Sequence, residues 1–168
     1  ELVLSGIRPR DIVTRKALEN AAATVAASGG STNAALHLPA IANEAGIDFT
    51  LFDVADVFKR TPYIADLKPG GRYVAKDLFE AGGIPLVMKA LLYGGFLHGD
   101  CMTVTGRTIA ENLKSVKWNP DQDVVRTTSK PLLATGGVVG LKGNLAPEGA
   151  IVKVAGMHNL KLTGPARC

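Results

Sequence analysis

Apolar positions through the first ninety residues recur at intervals of three and four, the period of helices with one buried face. Thr14 is placed to cap a helix over about 15–27, with Leu18, Ala21, Ala22 and Val25 on one face. A second helix is predicted over 34–45, with a stripe of Ala34, Leu38, Ile41 and Ala45, a kink at Pro39 and Gly46 as its stop. Thr50 and Asp53 resemble a capping box for a helix to about Lys59. Residues 61–67 read as extended and 68–72 as a Pro-Gly turn. Helices follow over about 74–81 and from 84, the latter with Ile84, Val87, Met88 and Leu91 as its face and Gly94-Gly95 as its end. Thr108 with Glu111 opens one more short helix. Pro9 makes 7–13 an extended or turn segment.

The pattern changes beyond Trp118. Val124-Val125, Leu132-Leu133, Val138-Val139 and Ile151–Val154 are short β-type runs separated by glycines. The fold class is therefore α/β: the helix-rich part of a large α/β domain (1–120), then the start of a β-rich, barrel-like domain (121–168). These few strands do not close a sheet by themselves, so the chain reads as part of something longer.

Composition adds exclusions. With 46% hydrophobic and 20% charged residues the chain has the means to bury a core. The net charge of +4 is spread along the sequence without a basic run or aromatic platforms, so no nucleic-acid partner is expected. No apolar run spans a bilayer, and no membrane partner is expected. The two cysteines, Cys101 and Cys168, have neither CxxC nor zinc spacing, which points to a reducing compartment.

Three places carry candidate chemistry. The first is Ser28-Gly29-Gly30-Ser31-Thr32-Asn33, just before the second helix. Two readings fit: a glycine turn capped by Ser31, Thr32 or Asn33, or a backbone site for a phosphate or carboxylate at a helix N-terminus. The second is His98 with Asp100, either a base and its orienter or a local turn. Cys101 beside them is a nucleophile only if a base is held against it. The third, His37, sits at the border of a predicted buried face and reads as a packed, hydrogen-bonded histidine; Met88 reads as core filler. The glycines of 135–149 lie between strands and match no dinucleotide or Walker pattern.

Several blocks together resemble the dihydroxy-acid dehydratase family, which includes sugar-acid and phosphogluconate dehydratases. They are GGSTNAALHL at 29–38, ADLKPGGRYVAKDL at 65–78, AGGIPLVMKALL at 81–92, LHGDCMTVTGRTIAEN at 97–112, GNLAPEGAIVKVAG at 143–156 and TGPARC at 163–168. The resemblance covers nearly the whole chain in order and is closest to the dihydroxy-acid branch. It implies a hydro-lyase that converts 2,3-dihydroxy acids to 2-keto acids in branched-chain amino acid biosynthesis. It also implies an iron–sulfur cluster (2Fe–2S), Mg2+, a cytoplasmic location, and a homo-oligomer, either a dimer or a dimer of dimers. Two alternatives stand beside it: a sugar-acid dehydratase fragment, and a stand-alone module that binds a small anion at Gly29–Asn33. The family's cluster cysteines, metal ligands and base serine have no matching positions here. No catalytic or metal residue is therefore assigned, and the segment alone is expected to be inactive. Ser31, Thr32 and Asn33 are the candidate substrate-binding residues.

Overall fold

The computed structural model describes residues 2–157, 159, 161 and 163–165. Ala166, Arg167 and Cys168, the second half of TGPARC, lie outside them. Eight helices precede one antiparallel hairpin: α1 Leu2–Ser5, α2 Pro9–Ile12, α3 Arg15–Ser28, α4 Ala34–Ala45, α5 Leu51–Arg60, α6 Ala75–Ala81, α7 Gly83–Tyr93, α8 Ile109–Leu113, then β1 Val138–Gly143 and β2 Ala146–Lys153. The helix-rich then β-bearing order is that of the predicted α/β class.

Helix α3 is the centre. Thr14 caps it, its Oγ1 accepting the Ala17 N–H at 3.2 Å. Leu18, Ala22, Ala23, Ala26 and Ala27 form its buried face, and α4, α5 and α7 pack around it. Alanine contributes little volume, so its neighbours approach closely. The larger buried side chains come from them: Val54 and Phe58 of α5, Leu86, Val87 and Leu91 of α7, and Ile64 of the extended stretch.

The last turn of α3 is tied to distant chain. Its Gly29 cap is left-handed (φ 59°), and the Gly30 N–H returns to Val25 O at 3.0 Å. The Ala26 carbonyl also accepts the Gly137 N–H at 3.1 Å. The Ala27 carbonyl accepts both Ile64 and Ala65 amides, at 2.9 and 3.0 Å. Carbonyls that a helix end normally leaves to water are thus satisfied from two other parts of the chain.

Several expectations need correction. Residues 9–12 form a helical turn with Pro9 in its first position, where a missing N–H costs nothing. In α4 the buried residues are Ala35 and Ala42; Ile41 is exposed, so the face is rotated from the predicted stripe. Pro39 lies inside this helix, as its position in the sequence implied. In α7 the buried set is Leu86, Val87, Ala90 and Leu91, and Ile84 is exposed. Val125 and Leu133 form single bridges to Ala65 and Tyr63 instead of strands.

The hairpin pairs Val138 with Lys153 and Leu141 with Ala150, with an irregularity between Leu141 and Gly143. Strand β1 packs on α5, and Val138 enters the main core.

The capping box of α5 forms in full. Thr50 N–H donates to Asp53 Oδ2 at 2.7 Å, and the Asp53 N–H donates to Thr50 Oγ1 at 3.4 Å. Partial burial works against the Asp53 charge, but the Thr50 amide and hydroxyl and the Arg15 guanidinium outweigh it and bring the carboxyl down to about 2. The folded pKa lies below that of the unfolded chain, so this contribution is complete above about pH 4. It is lost as pH falls toward about 2. Asp53→Asn is therefore expected to lower stability by about 1 kcal/mol at neutral pH. It is also expected to flatten the acid limb between pH 4 and 2, read as urea midpoints; parallel wild-type and variant limbs would show that Asp53 contributes nothing there.

Candidate functional site

Three segments converge beside the N-terminus of α4. The first is the loop 28–32, held by the tied end of α3. The second is Leu67-Lys68, at the head of the turn 67–73. The third is the end of β2. Together with Ile84 of α7 they line one cleft of about 470 Å³ through Ser28, Gly29, Gly30, Ser31, Thr32, Leu67, Lys68 and Lys153.

Each segment has a local reason to be there. Gly29 lies in the left-handed region, and a Cβ on it would stand 2.8 Å from Tyr63 Cε2, so only glycine fits. The turn is braced by Asp66, whose carboxylate is buried and accepts the Arg72 backbone N–H at 3.2 Å and Arg72 Nε at 2.5 Å. Arg72 continues to Asp123 at 3.0 Å, and the Tyr73 hydroxyl also donates to Asp123. Those two donors hold the Asp123 carboxyl below its usual range. The Lys68 N–H donates to Tyr73 O at 2.7 Å and the Gly71 N–H to Leu67 O at 2.8 Å. Beyond β2, the Val154 and Ala155 amides both donate to Gly137 O, which fixes Lys153 beside the glycine loop.

The cleft suits an anion. Lys68 and Lys153 form no ion pair among the described residues. The Ser31 and Thr32 amides donate to no described protein acceptor. The Ser31 Oγ accepts the Asn33 N–H at 3.2 Å, and Asn33 is the cap of α4 by position, with helical angles and no side-chain cap bond. Ser31 and Asn33 are exposed and Thr32 is half-buried; only Ser31 and Thr32 line the cleft. Leu67 and Ile84 supply an apolar side to it.

The second candidate is rearranged. His98 and Asp100 do not pair. His98 Nε2 lies 2.7 Å from Glu19 Oε2, whereas Asp100 bridges to Lys16 at 2.6 Å. Burial opposes the Glu19 charge, but His98, Arg60 and Arg15 outweigh it, and its carboxyl titrates below the usual range. The buried Asn20 side chain clamps the loop by accepting the His98 N–H at 2.8 Å and donating to His98 O at 2.9 Å. This is a structural anchor between α3 and the 97–101 loop.

Cys101 is buried and free, and burial and Asp100 push its thiol up, which is the opposite of an activated nucleophile. His37 is exposed, not packed. Among the described residues, no three His, Cys, Asp or Glu side chains gather in a way that would hold a metal ion.

Sequence reading missed Lys68, Lys153 and Ile84. Their signals were weak: a lysine before Pro69-Gly70-Gly71, a lysine within a β-type run, and an isoleucine beside a double glycine.

Residues 1–112 match the family pattern described as dihydroxy-acid/6-phosphogluconate dehydratase N-terminal. Residues 123–168 match the corresponding C-terminal pattern. The chain is 82% identical over 168 residues to dihydroxy-acid dehydratase 2 of Bradyrhizobium diazoefficiens, covering 100% of this chain and 29% of that relative. It is 74% identical to dihydroxy-acid dehydratase 2 of Mesorhizobium japonicum, again over 100% of this chain and 29% of the relative. It is 67% identical to the dihydroxy-acid dehydratase of Pelagibacter ubique, over 99% of this chain and 29% of the relative. The chain thus spans under a third of the length of these relatives.

Proposed function

We propose, from the premise that this chain belongs to the dihydroxy-acid/6-phosphogluconate dehydratase family, that it is a segment of a hydro-lyase acting on 2,3-dihydroxy carboxylic acids. Water leaves across C2 and C3, and the resulting enol tautomerises to the 2-keto acid. The relatives named above are dihydroxy-acid dehydratases, which favours the branched-chain amino acid route over a sugar-acid substrate. In the complete protein we assign the iron–sulfur cluster, the Mg2+ and the proton-abstracting base to residues beyond this segment. A homo-oligomer and a cytoplasmic location belong to the same reading. No helix among the described residues is long and apolar enough to cross a membrane.

The observation that carries a binding role for this segment is the cleft at α4. Two lysines without described ion pairs line one volume together with Ser31 and Thr32, whose amides have no described acceptor. A cation or a helix terminus contributes a few tenths to about 1 kcal/mol toward an anion at a surface, and about 2 kcal/mol when partly buried. By itself that chemistry would also serve a stand-alone anion-binding module; membership of the dehydratase family favours the first reading.

The test is the Ser31→Ala, Thr32→Ala double variant in the complete enzyme. Its KM for the dihydroxy acid is expected to rise about three- to tenfold, with the melting temperature within 2–3 °C of wild type. Unchanged kinetics with a lower melting temperature would reduce both residues to a turn-forming role.

A further inference from the structure

The turn that carries Lys68 is closed by opposite charges. Asp66 is 7% exposed, and its carboxylate accepts the Arg72 backbone N–H at 3.2 Å and Arg72 Nε at 2.5 Å. Arg72 Nη2 reaches Asp123 Oδ2 at 3.0 Å. The guanidinium also lies 4.8 Å from the centre of the Tyr73 ring, whose hydroxyl donates to the same Asp123. The backbone follows the side chains: the Tyr73 N–H donates to Asp66 O at 3.0 Å, and the Lys68 N–H to Tyr73 O at 2.7 Å. Lys68 thus sits inside a loop whose two ends are held together by Asp66 and Arg72.

A buried carboxylate needs a cation or several donors. Among the described residues the one cation on Asp66 is Arg72. Lys68 stands two residues from Asp66 in the same turn, is exposed, and has no ion pair among the described residues. Two cations are therefore close in the chain to one buried charge, and Arg72 has taken it with two donors. The guanidinium fork suits this place, because Nε serves Asp66 while Nη2 serves Asp123. The fork also joins the two family-matched segments, Arg72 in the first and Asp123 in the second. The cleft draws on the same two, with Lys68 from one and Lys153 from the other.

We propose that Arg72 is a positioning residue for the cleft: by holding the Asp66 carboxylate it keeps Lys68 from pairing there and leaves that ammonium to the cleft's anion. Arg72 itself does not line the cleft and touches no ligand. The state of Lys68 follows from the turn alone. Only the consequence for substrate binding rests on the hydro-lyase reading.

The experiment uses the complete enzyme and reads Lys68 directly, as its rate of acetylation by acetic anhydride at about pH 8, followed by peptide mass. KM and kcat for 2,3-dihydroxy-3-methylbutanoate are measured beside it. In Arg72→Gln the Asp66 carboxylate is left to Lys68. An ammonium held against a carboxylate gives up its proton less readily, so Lys68 is expected to react about tenfold more slowly. KM is expected to rise about three- to tenfold, with kcat within about twofold of wild type. Adding Asp66→Asn to Arg72→Gln should return both the acetylation rate and KM to near wild type, because a neutral amide no longer holds the lysine. A role confined to bracing the turn predicts no such rescue. The proposal is overturned if Arg72→Gln leaves Lys68 reacting at the wild-type rate, or if the double variant stays as slow as the single one. It is also overturned if Lys68 of the wild type does not react at all, since its amine would then already be engaged. Should Arg72→Gln not fold, the double variant, which carries no buried charge at this place, is compared with wild type directly; a slow Lys68 or a raised KM there overturns the proposal. Lys68→Gln separates the two readings. If it leaves KM unchanged, the cleft is not the substrate site, while the acetylation rate still reports on Arg72.

Discussion

Gly71→Ala is expected to destabilise the chain by about 3 kcal/mol or more and to lower its melting temperature by about 6–12 °C. An alanine Cβ there would lie 2.4 Å from Asp66 Oδ1, 2.5 Å from the Asp66 carbonyl carbon and 2.7 Å from its oxygen. A side-chain rotation would relieve the first contact, at the expense of the bonds to Arg72. The other two are with backbone, and that backbone is held from both sides. The Asp66 N–H donates to Val124 O at 2.9 Å, and its carbonyl accepts the Tyr73 N–H at 3.0 Å. The turn has to open, and it carries Lys68 into the cleft. In the complete enzyme the same substitution should raise KM as well. Gly143→Ala is the control: nothing lies within 4 Å of its added Cβ, and a change within about 0.5 kcal/mol is expected. Equal melting temperatures for the two variants would show that the turn is not rigid.

Phe58→Ala should cost about 3–5 kcal/mol, the range for deleting a fully buried aromatic side chain. Phe58 is wholly buried in the main cluster, and its backbone carbonyl accepts the Gly136 N–H at 3.0 Å. Truncation leaves a cavity between α5 and α3, with little freedom for an alanine-lined neighbour to fill it. Phe58 does not line the cleft. Its loss should therefore appear in chemical denaturation while kcat and KM per folded molecule stay near wild type. A drop below about 1 kcal/mol would mean that the site collapses to fill the space. Together the two variants separate stability from binding: the turn variant moves both, the core variant only the first.

Features fixed by neighbours in sequence were legible. The Thr14 cap, the Thr50 and Thr108 boxes and the Gly46 stop depend on contacts within one turn, and all appear. Features that depend on which element lies opposite were not. Ile41 and Ile84 fit an apolar stripe as well as the residues that are buried, and only the position of α3 decides between them. The partner of His98 is Glu19, far away in sequence, so its nearness to Asp100 misled. The cleft was half visible. The Gly29–Asn33 stretch announced a loop that opens a helix, but Lys68 and Lys153 reach it through the 67–73 turn and the hairpin register. Neither pairing leaves a local mark.

The knotted end of α3 also bears on how the chain is made. On a ribosome the helix emerges ahead of its last partners, and its final carbonyls wait for Ile64 and Ala65, and then for Gly137. Until that late glycine arrives, the loop that forms one wall of the cleft has no fixed seat. Helix α3 thus begins as a local structure and is completed as a long-range one.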